Sequence, residues 1–92
     1  MAFIEWTEAA EADAGAILEF IAQDSISAAY DVYEEIREQA KHLMEYPKLG
    51  RVGRLKGTRE LVINRTSYIV IYRIRGERVE LLRVLHGAQQ WP

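Results

Sequence analysis

Three runs of strand-forming residues in the second half of the chain constrain its fold more than any other feature. They are Gly57-Thr58-Arg59-Glu60-Leu61-Val62-Ile63, Tyr68-Ile69-Val70-Ile71-Tyr72-Arg73-Ile74 and Leu81-Leu82-Arg83-Val84-Leu85-His86-Gly87. Val, Ile, Leu and Tyr dominate them, and such residues fit a pleated, buried surface. Asn64-Arg65-Thr66-Ser67 separates the first two runs. Between the last two, Gly76-Glu77 predicts a two-residue hairpin turn with Gly at the first central position, where φ > 0 is needed. The pattern predicts a three-stranded antiparallel meander. Its middle run is apolar on both alternating faces, as in a central strand covered from two sides. Arg73 and Arg75 continue the face of Ile69 and Ile71 and open it to solvent or a partner.

The first half of the chain must cover one face of that meander, and its periodicity is helical. Phe3-Ile4-Glu5-Trp6 reads as a short first strand. Thr7 is a candidate N-cap, and Glu8 and Glu11 follow in the first turn, where negative charge suits the helix dipole. Ala10, Ala14, Ile17, Leu18 and Ile21 then recur at helical spacing and predict a helix over 8–23. Gly15 inside it costs about 1 kcal/mol relative to Ala. Gln23-Asp24-Ser25 breaks the pattern, and Ser25 or Ser27 caps a second helix. Ala29, Val32, Tyr33, Ile36, Ala40, Leu43 and Met44 form its apolar stripe until Pro47 ends it. So short a break predicts an antiparallel helical hairpin. The segment 47–57, with Gly50, Gly53, Gly57 and Pro47, is expected to be a basic loop without a regular element. It lacks Gly-Lys-Ser/Thr and follows a helix, so it is not a phosphate-binding P-loop. The expected order is β-α-α-β-β-β, an α+β arrangement in one domain over 1–92.

Charge divides the chain in the same place. Residues 1–46 carry eleven acids and two bases, Arg37 and Lys41, whereas 47–92 carry three acids and ten bases. The net charge of −2 conceals an acidic helical half and a basic sheet half. A basic surface seeks phosphate or an acidic partner, although the two halves can also attract each other. The chain has no cysteine, which removes disulfides and thiolate metal sites and is compatible with a reducing cytoplasm. It has no apolar run near the ~20 residues that span a bilayer. The first residues lack a basic n-region and an h-region, so no secretory signal is expected. No membrane partner and no cofactor are anticipated.

Chemistry-bearing residues are sparse. No His-x-x-x-His pair or carboxylate cluster has ligand spacing, so no metal is expected. No nucleophile-elbow pattern occurs. His42 lies in the second helix as a structural or exposed residue. Arg59, Arg65, Arg73, Arg83 and His86 all fall on the meander or its edges. Cleavage of RNA through its 2′-OH needs a base, an acid and a cation for the phosphorane charge. His86 with arginines could supply these, or it could simply end a strand while the arginines sit in ion pairs.

The residues Trp6-Thr7, Ala28-Ala29, Pro47, Gly50-Arg51, Gly57-Thr58-Arg59-Glu60-Leu61-Val62, Tyr68-Ile69-Val70, Tyr72-Arg73, Leu82-Arg83-Val84-Leu85-His86-Gly87-Ala88 and Trp91 carry a pattern. It resembles the RelE/ParE superfamily of bacterial type II toxin–antitoxin toxins along essentially the whole chain. The resemblance implies a cytoplasmic toxin with this element order, neutralised by a small antitoxin encoded beside it. RelE-like members cut mRNA on the ribosome, and ParE-like members poison DNA gyrase without nuclease activity. The RelE-like pattern places an arginine directly after the aromatic that opens the third strand, but here Ile69 follows Tyr68. It also places an arginine beyond the last strand and a tyrosine further on. Here Gly87-Ala88-Gln89 stands there, and no tyrosine follows Tyr72. The pI of about 5.7 also fits poorly with a ribosome-binding nuclease.

The resemblance is therefore closer to the ParE-like branch, with gyrase as target and no catalytic residues. Arg83, His86, Gln89 and Trp91 are the expected target contacts. Arg54, Arg59, Arg73 and Arg83, with Ala10 and Ala14 on the Ala-rich first helix, are the expected antitoxin contacts. The antitoxin, of ribbon-helix-helix type, would fold a disordered segment across both surfaces. The alternatives are an mRNA endonuclease using His86, Arg83, Arg73 and Arg59, and an inactive member that only binds its antitoxin.

Overall fold

A computed structural model describes residues 1–90; Trp91 and Pro92 lie outside the described residues. The chain runs β1 (Phe3–Trp6), α1 (Glu8–Ala22), α2 (Ile26–Lys41), a 3-10 turn (His42–Met44), β2 (Arg51–Val52), β3 (Arg59–Val62), β4 (Tyr68–Arg75) and β5 (Arg78–His86). Both helices begin at the hydroxyl caps that the sequence offers. Thr7 Oγ1 accepts from the Ala10 N–H and Ser25 Oγ from the Ala28 N–H, which satisfies one orphan donor at each helix start.

The strands form one five-stranded sheet in the order β1-β5-β4-β3-β2. The predicted meander is present as β3, β4 and β5, with β4 central and Gly76 at φ +58° in the hairpin turn. Besides α2 ending at Lys41, with His42–Met44 in a 3-10 turn rather than in the helix, two features differ from the sequence-based expectation. First, β1 pairs in parallel with β5, so the sheet is mixed. Second, the 47–57 segment is not wholly irregular, because Arg51 and Val52 form β2 opposite Glu60 and Arg59. Glycine and proline there discourage a strand, but two residues suffice once Arg51 can reach the Glu60 carboxylate across the ladder.

The helical hairpin lies on one face of the sheet. Ala10, Ile36, Ala40 and Leu43 pack there with Leu61, Ile63, Val70, Tyr72, Val79, Leu81 and Val84 in a single core. Ile69, Ile71 and Leu85 form a smaller buried cluster, carried by the alternate positions of β4 and β5. The middle strand is thus covered on both faces, as its sequence predicts. Arg37 of α2 fastens the helices to the first strand. Its guanidinium stacks 4.3 Å from the Trp6 ring centroid, lies 5.5 Å from that of Tyr33 and bonds Glu11 of α1 at 2.9 Å.

Candidate functional site

The sequence points to the arginines and the histidine of the meander, and the structure gives each of them a partner. On β5 the register slips. Ile71 faces Arg83 while Tyr72 faces Leu81, which leaves Leu82 without a counterpart. A bulge of this kind bends a strand and re-aims its side chains. It falls where β1 ends and α1 begins. There the Thr7 hydroxyl donates to the Leu81 carbonyl at 2.7 Å. Six residues on, the Asp13 carboxylate accepts from Arg83 Nε at 2.7 Å and Nη2 at 3.1 Å, and from the Val84 N–H at 2.9 Å. The hydrogen bond to Asp13 and its negative charge hold the Arg83 guanidinium more firmly protonated than usual.

Arg73 lies across the ladder from Glu80 and bonds its carboxylate, and Arg78 adds a longer contact at 3.8 Å. The Arg73 hydrogen bond holds Glu80 below the ordinary carboxylate range against the effect of burial. Glu60 is more deeply enclosed, with its side chain 1% exposed. Its Oε1 accepts from Arg51 Nη2 at 2.9 Å and its Oε2 from the Arg54 N–H at 3.0 Å. Burial works against ionisation of Glu60. The Arg54 backbone bond and the two guanidiniums outweigh it and hold the carboxyl below its usual range.

Among the described residues Arg59 takes no carboxylate. Its Nη1 donates to the Gly50 carbonyl at 2.7 Å, beside a second clamp on the same loop. The fully buried Tyr72 hydroxyl donates to the Pro47 carbonyl at 2.7 Å and accepts from the Gly50 N–H at 2.8 Å. Gly50 is required at this point, because a Cβ there would stand 2.7 Å from the Tyr72 ring and hydroxyl.

His86 ends β5 on the surface, with the Tyr68 ring edge-on at 5.4 Å. Its backbone N–H donates to Gln89 Oε1 at 2.7 Å, and the Gln89 N–H donates to the His86 carbonyl at 2.9 Å. The ring Nδ1 accepts from the Ala88 N–H at 3.0 Å.

These groups do not converge. Tyr68 pairs with His86 and Arg73 with Glu80, so His86 and Arg73 stand five residues apart along β4, roughly 16 Å at strand rise. Arg59 and Tyr72 are cross-strand partners, as are Arg83 and Ile71, so the two arginines occupy alternate faces. Of the expected target contacts, Arg83 is half-exposed, His86 and Gln89 share one exposed turn, and Trp91 falls outside the described residues. Of the expected antitoxin contacts, the four arginines remain partly or fully exposed. Ala10 and Ala14 do not, being 0% and 1% exposed. Their small side chains permit close approach, but of α1 to the rest of this chain, so they offer no outer surface. An apolar depression that the sequence did not signal is lined by Tyr46, Pro47, Lys48, Leu49 and Ile74. Among the described residues no group of His, Cys, Asp or Glu could hold a metal ion, and no helix is long and apolar enough to cross a membrane.

The model of the ParE toxin of the type II toxin–antitoxin system parDE matches residues 4–91. The chain belongs to the ParE toxin family. This ParE-family toxin is 44% identical over 89 residues to the protein Y4kP of Sinorhizobium fredii, covering 97% of this chain and 92% of that one. It is 35% identical over 89 residues to toxin RelE2 of Caulobacter vibrioides, covering 97% and 99% of the two chains. Among solved structures it is similar to a chain of the chromosomal ParDE system from P. aeruginosa. The TM-score is 0.85 at 27% identity, over 94% of this chain and 96% of that one. The RelE/ParE resemblance read from the sequence is thereby borne out, and with it a toxin of a type II toxin–antitoxin system. Such a family implies a cognate antitoxin as partner.

Proposed function

We propose that this toxin acts in the cytoplasm by binding DNA gyrase, performs no catalysis of its own and is silenced by its cognate antitoxin. The observation that carries this reading is the dispersal of the polar set. Arg59, Arg73 and Arg83 are each engaged by a carbonyl or a carboxylate, and His86 stands at the far end of the ladder with its Nδ1 accepting from the Ala88 N–H. In-line cleavage of RNA needs a base, an acid and a cation around one phosphate, and these residues would have to rearrange to provide them. The likeness to a ParDE system agrees with this reading.

For the antitoxin, the exposed apolar depression at Tyr46, Leu49 and Ile74 replaces the buried alanines as the apolar half of the docking surface. Lys48 beside it and the basic sheet residues favour an acidic segment.

The test is a gyrase supercoiling assay run beside an in vitro translation assay with purified toxin. Loss of supercoiling with intact mRNA is the expected result, and ribosome-dependent mRNA cleavage with unaffected gyrase would overturn the proposal. Two variants sharpen it. Removal of Gln89–Pro92 is expected to abolish toxicity while circular dichroism and antitoxin binding persist. His86→Gln is expected to retain most toxicity. A toxic truncation together with an inactive His86→Gln would favour catalysis.

A further inference from the structure

The outer edge of β3 carries a row of backbone groups in which, among the described residues, one rung is open. On the inner side, the Ile63 N–H donates to the Tyr68 carbonyl at 3.0 Å, so Arg59, Leu61 and Ile63 turn their peptide groups toward β4. Thr58, Glu60, Val62 and Asn64 therefore turn theirs outward. Thr58 accepts from the Gly53 N–H at 2.8 Å, and Glu60 sits opposite Arg51 of β2. Asn64 is held by a side chain. Gln39 of α2 accepts from its N–H at 2.8 Å and donates to its carbonyl at 3.0 Å, as a neighbouring strand would.

Val62 lies between these last two, and the chain of β2 turns away from it. The Gly50 N–H is directed to the Tyr72 hydroxyl, and the Leu49 N–H bonds the Tyr46 carbonyl at 3.0 Å. Val62 is 45% exposed. It opens into a cleft of about 460 Å³ whose lining includes Leu49, Leu61, Arg51, Arg65, His42 and Glu60, the last already bonded to Arg51. An exposed strand edge with unpaired peptide groups is a template for another chain.

Two features select the occupant. The slot is closed by β2 at one end and by Gln39 at the other, so it admits one or two extended residues at about 3.3 Å each. A strand running through does not fit, but a chain end does. The exposed charges of the lining are cationic. Arg51 and Arg65 are 58% and 72% exposed, and among the described residues each has a single carboxylate partner, Glu60 and Glu35. A guanidinium has five N–H donors, so both keep donors to spare.

We propose that this open rung captures the C-terminal end of a partner polypeptide. The last residues of the partner pair with the Val62 N–H and carbonyl. An apolar side chain rests on Leu49 and Leu61, and the terminal carboxylate lies in the field of Arg51 and Arg65. The proposal does not rest on which target the toxin poisons.

The test uses fluorescein-labelled hexapeptides ending in Val, Ile or Leu, each made as a free acid and as a C-terminal amide, titrated into the full chain. At least one free acid is expected to bind, with its amide at least tenfold weaker. Saturation with that peptide should slow hydrogen exchange at the Val62 amide at least tenfold in the unaltered protein. Val62→Pro removes the outward N–H at an edge position where proline is tolerated. It should weaken binding at least tenfold with unchanged circular dichroism. Equal binding of acid and amide, unchanged exchange at Val62, or no binding up to about 1 mM would each overturn the proposal. If Val62→Pro fails to fold, the peptide pair and the exchange measurement still decide it.

Discussion

Asp13 and Arg83 face each other across 70 positions of sequence, in a two-point contact whose carboxylate also accepts the Val84 N–H. The carboxylate thus replaces the strand partner that β5 loses where β1 gives way to α1. The exposed guanidinium alone contributes little, because solvent screens it. The Val84 N–H matters more, since a part-buried donor left unpaired costs about 1–3 kcal/mol. Asp13→Ala should therefore lower stability by about that amount in urea denaturation, and Asp13→Asn, which keeps an acceptor, by less. A loss below about 0.5 kcal/mol would mean that water satisfies Val84 equally well.

The core gives a simpler expectation. Ile36 is fully buried and shares its cluster with Leu61 and Val70. Ile36→Ala should cost about 2–4 kcal/mol through lost burial and a residual cavity. In a domain of this size that is a large part of total stability. A thermal midpoint within a degree or two of wild type would contradict the packing described.

Tyr72→Phe tests the clamp on the 47–50 loop. The change keeps the ring but strips the Gly50 N–H and the Pro47 carbonyl of their shared partner. We expect a loss of about 1–3 kcal/mol and faster amide exchange at Gly50. Gly50→Ala should be worse in kind, because the added methyl meets the Tyr72 ring and the Glu60 carbonyl 2.9 Å away. If both variants melted like wild type, the loop would not depend on this contact.

Acid should find Glu60. Its folded pKa is lowered, so its contribution is present above the unfolded value of about 4.3 and fades as pH falls through the lower folded value. Glu35 and Glu80 are lowered too and act in the same direction. Thermal midpoints measured from about pH 7 down to about pH 3 should fall on the acid side of about 4.3. Glu60→Gln should start lower at neutral pH and fall less steeply. An identical slope in the variant would remove Glu60 from the acid response.

Periodicity made the helices and the meander legible. Ala10, Ala14, Ile36 and Ala40 mark buried stripes, and Thr7 and Ser25 mark the caps at which the helices begin. What periodicity cannot reveal is which distant residues meet. The parallel union of β1 and β5 joins segments from opposite ends of the chain, and no local signal encodes it. The short β2 was hidden by glycines that ordinarily end strands. The arginines were visible as cations, but their partners Asp13, Glu60 and Glu80 were not, since an acid in sequence does not announce the base it will meet. Ala10 and Ala14 illustrate the ambiguity of small residues, which serve a partner's approach or the chain's own packing equally well.

The union of β1 with β5 also governs when the molecule can exist at all. The Thr7 hydroxyl reaches the Leu81 carbonyl 74 positions away, and every residue of β1 pairs with one from 78 onward. Closing so long a loop is slow relative to forming local contacts. A nascent chain can wind both helices early, yet it has nowhere to seat its first strand until the last has left the ribosome. A chain with this topology completes its sheet only once β5 is free to receive β1, so the edge that β1 covers stays open longer than any other seam of the sheet.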